Sequence, residues 1–208
     1  ISMIKNRKGL MLVLSSPSGA GKTSLCRKII ESDKKIRMSI SATTRPKRKS
    51  EIDSKDYFFY SIEKFLVNKN KGFFIETAKV FDYHYGTPKQ YVEENLSVGN
   101  DMLFDIDWQG TQKLADYSRN DLVSIFILPP STKELENRLK NRAEDSNQIV
   151  ENRMSKAKSE ISHWIEYDYV LINDDIEKCV KEILTIINAE RLKRFRQKYI
   201  FDFVDKLI

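Results

Sequence analysis

Five consecutive apolar residues, Leu10 to Leu14, run into Ser16-Pro17-Ser18-Gly19-Ala20-Gly21-Lys22-Thr23, and helical spacing follows from Thr23 to Ser32. A strand without polar alternation is buried on both faces, which happens in parallel sheets covered by helices and not in half-solvated antiparallel ones. The loop behind it is built for an anion. Backbone N–H groups converge on phosphate only where no Cβ obstructs, hence the glycines. The lysine then neutralises charge, a Ser/Thr hydroxyl serves Mg2+, and the helix N-terminus adds its dipole. Ser16 stands where the usual GxxxxGK[ST] pattern has its first glycine, so the match is imperfect. The strand before, the helix after and the extra Gly19 carry it, and the segment Ser18, Gly19, Ala20, Gly21, Lys22, Thr23 and Ser24 predicts a nucleotide phosphate site.

The alternation continues along the chain. Ile36 to Ile40 reads as a strand. From Ser41 to about Asn95 the character changes to a Tyr/Phe-rich insert, with strand-like pieces at Tyr57–Tyr60 and Phe73–Val80, a helix from Ser61 and another near Thr87-Pro88. Met102–Phe104 then reads as a strand ending in Asp105 and Asp107, and Gln109–Tyr117 as a helix. Leu122–Leu128 is a strand stopped by Pro129-Pro130, with helices over Ser131–Arg142 and Gln148–Ile165 after it. Strand Tyr169–Ile172 and a long helix from Asp174 to about Arg196 close the pattern. Strands alternating with helices predict an α/β fold: one domain over 1–208, with a parallel-sheet core at about 9–40 and 96–198 and a mixed insert at about 41–95.

Composition narrows the chemistry. Two cysteines without a CxxC spacing exclude a disulfide framework and a zinc ribbon, and they read as buried reduced thiols; His84 and His163, far apart, exclude a paired histidine metal site. No apolar run approaches a membrane span, and the short one after Lys5-Asn6-Arg7-Lys8 lacks a signal-peptide pattern, so a cytoplasmic protein without a membrane partner is expected. The net charge of +6 suits an anionic partner. Residues 26–50 carry nine basic residues against two acidic ones, while the five basic residues of Arg191–Lys198 read as a solvated helix face. No nucleic-acid-binding motif accompanies the charge. The tail Tyr199–Ile208 has apolar residues near helical spacing, which suits either core docking or a homo-oligomer contact.

Three further groups can carry chemistry. Ser41, Arg45, Arg48 and the later Tyr57 offer hydroxyls and two guanidinium groups that match phosphate bidentately; a solvated basic loop is the plainer reading. Glu76 precedes Tyr83-His84-Tyr85-Gly86-Thr87; the tyrosines also fit simple strand packing, and His84 reads as an exposed loop residue. Asp105 and Asp107 sit at the end of a core strand, where α/β sheets bind ligands, although capping of the next helix would also place acids there. Arg138, Arg142 and Arg153 flank a connection at 143–147 and suit a lid over transferring charge.

Taken in order, these blocks resemble the bacterial guanylate kinase family from about Gly9 to Lys198. The resemblance rests on Ser41-x-Thr43-Thr44-Arg45-x-x-Arg48 with Glu51 and Asp56-Tyr57-Phe58, then Phe74-Ile75-Glu76, Tyr85-Gly86-Thr87, Leu103 to Gly110, Phe126 to Ser131 and Ile172 to Asp175. It implies a P-loop NTPase-type core, a GMP-binding insert and a helical lid at about 138–153, with ATP and GMP as substrates and Mg2+ as cofactor. By position it implies that Gly19, Gly21, Lys22 and Thr23 hold the ATP phosphates and Mg2+. Arg45, Arg48, Tyr57 and Tyr85 would grip the GMP phosphate, and Ser41, Glu76, Thr87 and Asp107 would face guanine. Asp105 would sit near the metal, Arg142 and Arg153 would be lid and transition-state arginines, and Asn173 would lie near adenine. Lys22, Arg45, Arg142 and Arg153 are thereby the expected catalytic group.

The chain departs from the family at two places. Ser50-Glu51-Ile52-Asp53-Ser54 replaces the frequent Gly-Glu-x-x-Gly, so any position needing positive φ is strained or rebuilt. Asn141-Arg142-Ala143 replaces Gly-Arg-Gly in the lid. The competing readings are another P-loop nucleoside monophosphate kinase, a non-catalytic scaffold and a nucleic-acid binder. Glu76, the intact Gly21-Lys22-Thr23 and the absence of a nucleic-acid motif argue against them in turn.

Overall fold

The computed structural model describes residues 7–49, 51–80, 82–142 and 147–208; the side chains of 80, 141, 142 and 147–150 lie outside the described residues. In chain order the strands are β1 (Met11–Ser15), β2 (Ile36–Met38), β3 (Ala42–Thr43), β4 (Phe58–Phe59), β5 (Phe74–Val80), β6 (Tyr83–Pro88), β7 (Asp101–Asp105), β8 (Leu122–Leu128) and β9 (Tyr169–Ile172). The helices are α1 (Lys22–Ser32), α2 (Ile62–Asn70), α3 (Lys89–Ser97), α4 (Trp108–Ser118), α5 (Thr132–Arg142), α6 (Asn147–Ile161), α7 (Ile176–Arg191) and α8 (Tyr199–Val204).

Strand β1 is central in a five-stranded parallel sheet of order β2-β7-β1-β8-β9. Its uninterrupted apolar run follows from this position. Leu12 and Leu14 point to one face, against Leu25 and Ile29 of α1 and Ile183 and Ile187 of α7. Met11 and Val13 point to the other, against Val92 and Leu96 of α3 and Leu114 of α4. Successive side chains of a strand alternate faces, and here both faces are roofed by helices. Crossovers between parallel strands put the loops after β1 and β7 at one end of the sheet, and this end carries the site.

The insert is a second, mixed sheet of order β4-β3-β6-β5, with helix α2 packed on it through the fully buried Phe65. Two of its strands are absent from the sequence analysis: β3 has only two residues, too few to show a period, and β6 runs up to Pro88. The helix expected near Thr87-Pro88 is α3, for which Pro88 is the N-cap and not a first-turn residue. His84 is accordingly a strand residue, half-buried and stacked on Phe65 with centroids 5.3 Å apart, not an exposed loop residue.

The basic segment at 191–198 also differs from expectation. Helix α7 stops at Arg191, and a 3-10 turn over Arg194–Arg196 folds the chain back. Arg196 is only 2% exposed and lies 3.5 Å from Glu190, whereas a straight helix would set these two residues about 9 Å apart along its axis. Arg191 pairs with Asp33 at 2.7 Å and with the wholly buried Asp101 at 2.6 Å. Part of the cluster is thus internal ion pairing, not a solvated face. The tail forms α8, and Phe201, Val204, Leu207 and Ile208 remain exposed, so core docking is not what these residues do. Cys26 and Cys179 are buried free thiols whose pKa values burial pushes up to about 12 and about 11. Among the described residues no helix is long and apolar enough to cross a membrane.

Candidate active site

The loop between β1 and α1 turns through two glycines, Gly19 and Gly21, each at φ +92°. L-residues avoid this region. At Gly21 space is short as well: a Cβ would stand 2.7 Å from Asn173 Nδ2. Asn173, at the end of β9, is nearly buried and donates that amide to Ala20 O at 2.8 Å. The loop is therefore braced from beneath. Helix α1 starts at Lys22 with no side-chain cap and no acid in its first turn, which leaves its first N–H groups and positive dipole end for an anion.

In front of this helix end lies a cleft of about 460 Å3, lined by Ser16–Gly19, Gly21–Ser24, Asp105, Arg138 and Glu160. Lys22 Nζ is 2.7 Å from Asp105 Oδ1, and both side chains are three-quarters buried. Opposite, Glu160 of α6 accepts from Ser18 N at 3.2 Å, so a carboxylate already sits on an N–H of this loop.

A second, smaller cavity of about 180 Å3 opens where insert meets core, lined by Met38, Ser39, Ser41, Asp56, Tyr57, Phe104, Asp105 and Ile106. Asp105 belongs to both walls. Beside this cavity Glu51 grips Arg45 with two hydrogen bonds, Nη1 to Oε2 at 3.0 Å and Nη2 to Oε1 at 2.6 Å, and also accepts from Arg48 N at 2.8 Å. The Arg45 guanidinium lies over the Tyr57 ring, 5.3 Å from its centroid, and Tyr85 packs edge-on to Tyr57 at 6.2 Å. Glu51 and then Tyr85 push the Arg45 pKa up, while Arg45 holds the Glu51 carboxyl below its ordinary value. The Arg48 side chain is exposed.

On β5, Glu76 is partly buried and accepts from Thr87 Oγ1 at 2.7 Å; Thr87 itself is 1% exposed. Burial pushes the Glu76 pKa up, the Asp107 carboxylate pushes the same way, and Thr87 and Lys113 pull it down. Asp107 caps α4, accepting from Gly110 N at 3.0 Å, so the plainer role that its position suggested is realised in part of its carboxylate.

Residues 8–190 match the family model described as guanylate kinase. The chain belongs to the guanylate kinase family. It is 55% identical over 202 residues to the guanylate kinase of Paramagnetospirillum magneticum, covering 97% of this chain and 94% of that protein, and 53% identical to that of Rhodopseudomonas palustris strain HaA2, covering 97% and 91%. The solved guanylate kinase of Anaplasma phagocytophilum superposes with a TM-score of 0.76 at 39% identity, covering 96% of this chain and 95% of that one. The fold is the P-loop NTPase type, and the reaction is transfer of the γ-phosphoryl group of ATP to GMP, giving ADP and GDP.

The fold brings Ser18, Gly19, Gly21, Lys22, Thr23, Ser24 and Asp105 to one cleft, and Ser41 and Tyr57 to the adjoining cavity. Ala20 is buried beneath the loop. Asn173 braces that loop through Ala20 O. Arg142 closes α5, but its side chain lies outside the described residues, as do Ser50 and Ala143. Arg153 is half-buried on α6, and Arg138 of α5 lines the cleft. Ser54 is at φ +63°, so the replaced glycine position does carry a left-handed residue. Glu51 enters the sequence analysis only as part of the Ser41–Phe58 block of the resemblance, and Glu160 has no role there. Glu51 stood six residues from Arg45, a readable hint; Glu160 lies 142 residues from Ser18 and left none.

Proposed function

We propose a division of labour in which the cleft at Lys22 takes ATP and the insert cavity takes GMP. The observation that supports it is Asp105, shared by both walls and paired with Lys22, which makes the strand end after β7 the meeting point of donor and acceptor. Phosphoryl transfer passes through a loose transition state and needs alignment and charge neutralisation more than a covalent nucleophile. Lys22 and the loop N–H groups from Gly19 to Thr23 hold the donor phosphates, with Ser24 beside them. Arg45, pre-aimed by Glu51 and stacked on Tyr57, grips the GMP phosphate with Arg48 and Tyr85, so the attacking oxygen is held without freedom to rotate away. The lid arginines Arg142 and Arg153, with Arg138, stabilise the transferring charge.

Guanine presents N1–H and N2–H2 as adjacent donors, and the Glu76 carboxylate accepts both; Ser41, Thr87 and Asp107 complete that face. Adenine has a lone pair at N1 and would leave the carboxylate unpaired. Charged hydrogen bonds are worth about 1.5–3 kcal/mol each, enough for strong discrimination.

The donor set fits Mg2+. The Thr23 hydroxyl and the Asp105 carboxylate are hard oxygens on the same cleft, and no cluster of three His, Cys, Asp or Glu forms a closed metal cage among the described residues. Such a partial set suits an ion that arrives with the triphosphate and keeps its own waters, and when bound it neutralises phosphate charge. The substrates are small anions that account for the basic balance, and we place the enzyme in the cytoplasm. The test is ADP formation from Mg-ATP with GMP, AMP, CMP, UMP or dTMP as acceptor. Turnover confined to GMP is expected; turnover with another base overturns the role given to Glu76.

A further inference from the structure

Lys113 stands on α4, a core helix whose N-cap is Asp107. Its Nζ donates to Thr77 O at 2.6 Å, across the boundary between core and insert. Thr77 is the neighbour of Glu76 on β5, and α4 and β5 pack closely along this seam. Three groups face Glu76. Thr87 Oγ1 on β6 donates to it, Asp107 at the head of α4 repels its charge, and Lys113 on the same helix attracts it. Two carboxylates near one small base are electrostatically costly unless a cation balances them.

We propose that Lys113 is a positioning residue for guanine selection: it ties the base-reading edge of the insert to the core helix and offsets the charge of Glu76. The inference rests on Glu76 as the guanine reader. A protonated Glu76 turns one of its two acceptors into a donor facing the N–H groups of guanine, so GMP recognition follows the ionised fraction of Glu76. Lys113 opposes burial and Asp107, both of which favour the protonated form. Because the ammonium is exposed, its electrostatic share is screened and falls with salt.

The test is kcat/KM for GMP from pH 5 to 9 in wild type, Lys113→Met, Lys113→Arg and Glu76→Gln, with KM and kcat separated and AMP as competitor substrate. The titration of the GMP phosphate is common to all four and cancels in the comparison. Lys113→Met should raise KM for GMP about three- to tenfold at pH 7, the scale of an exposed charged hydrogen bond, with kcat and KM for ATP unchanged. Its acid limb should move to higher pH, and Lys113→Arg should restore both. A Lys113→Met profile that overlays the wild type overturns the proposal, as does a raised KM with an unmoved limb that arginine fails to rescue. If Glu76→Gln keeps wild-type base selectivity and limb, the reading of Glu76 fails and the inference with it. If Glu76→Gln loses both while Lys113→Met changes nothing, only the role of Lys113 fails.

Discussion

Asn173 separates two accounts of the ATP side. The resemblance to the family put it near adenine, whereas the structure shows its amide under the phosphate loop, donating to Ala20 O at 2.8 Å and filling the space that a side chain at Gly21 would need. Asn173→Ala leaves the buried Ala20 carbonyl without this donor. Leaving a buried acceptor unsatisfied costs about 1–3 kcal/mol. For a chain of 208 residues, where 1 kcal/mol shifts Tm by about 2–4 °C, the expected fall is about 2–12 °C. If the loop bears that cost in the transition state, kcat/KM for the nucleotide donor drops about 5- to 150-fold, since 1.4 kcal/mol is a factor of ten. The assay is thermal unfolding together with kcat/KM for ATP and for GTP as donors. A brace has no contact with the base, so both donors should suffer equally and the ATP-to-GTP ratio should hold. A Tm within 1 °C of wild type together with a changed donor ratio would refute the brace and return Asn173 to the adenine.

Three other outcomes follow from the same geometry. Lys22→Ala should lower kcat by at least about 10²–10³, the scale of a single charge-stabilising donor, with the far-UV circular dichroism of a folded chain; wild-type turnover would remove the phosphate role of the loop. Ser54→Gly should raise stability by about 0.5–1 kcal/mol in urea unfolding, because the left-handed region costs an L-residue about 1–2 kcal/mol while glycine gives some of that back in unfolded-chain entropy; a loss of stability would mean that the Ser54 side chain holds the loop. Glu76→Gln keeps an acceptor for Thr87 but removes a carboxylate that burial disfavours. The folded pKa of Glu76 lies above the ordinary glutamate value, so between the two the native state binds more protons and wild-type stability falls as pH rises. The Tm advantage of Glu76→Gln should therefore be near zero at pH 4 and grow toward pH 8; an advantage independent of pH would exclude the ionisation as its cause.

What the sequence shows and what it conceals divide along one physical line. The core strands are legible because a two-sided burial leaves no polar residue in Leu10–Leu14 and only Ser124 in Leu122–Leu128, and the phosphate loop is legible because the demands on its backbone are met within eight residues. The strands β3 and β6 are not, since two residues show no period and β6 runs straight into the helix that Thr87-Pro88 signals. Charge is where local reading fails most. Arg191 and Arg196 look like solvent-facing residues of a basic run, yet Asp101, Asp33 and Glu190 bury them, two of those partners lying 90 and 158 residues away. The site divides in the same way. Arg45, Arg48 and Tyr57 gather within 13 residues, close enough for a shared phosphate to be read as one option beside a solvated basic loop. Glu160 reaches Ser18 from α6, 142 residues along the chain, so its position becomes a site position through topology alone. If the loop holds the donor phosphates as proposed, Glu160 competes with an incoming phosphate oxygen for the Ser18 N–H, because one donor cannot serve both carboxylate and phosphate at full strength.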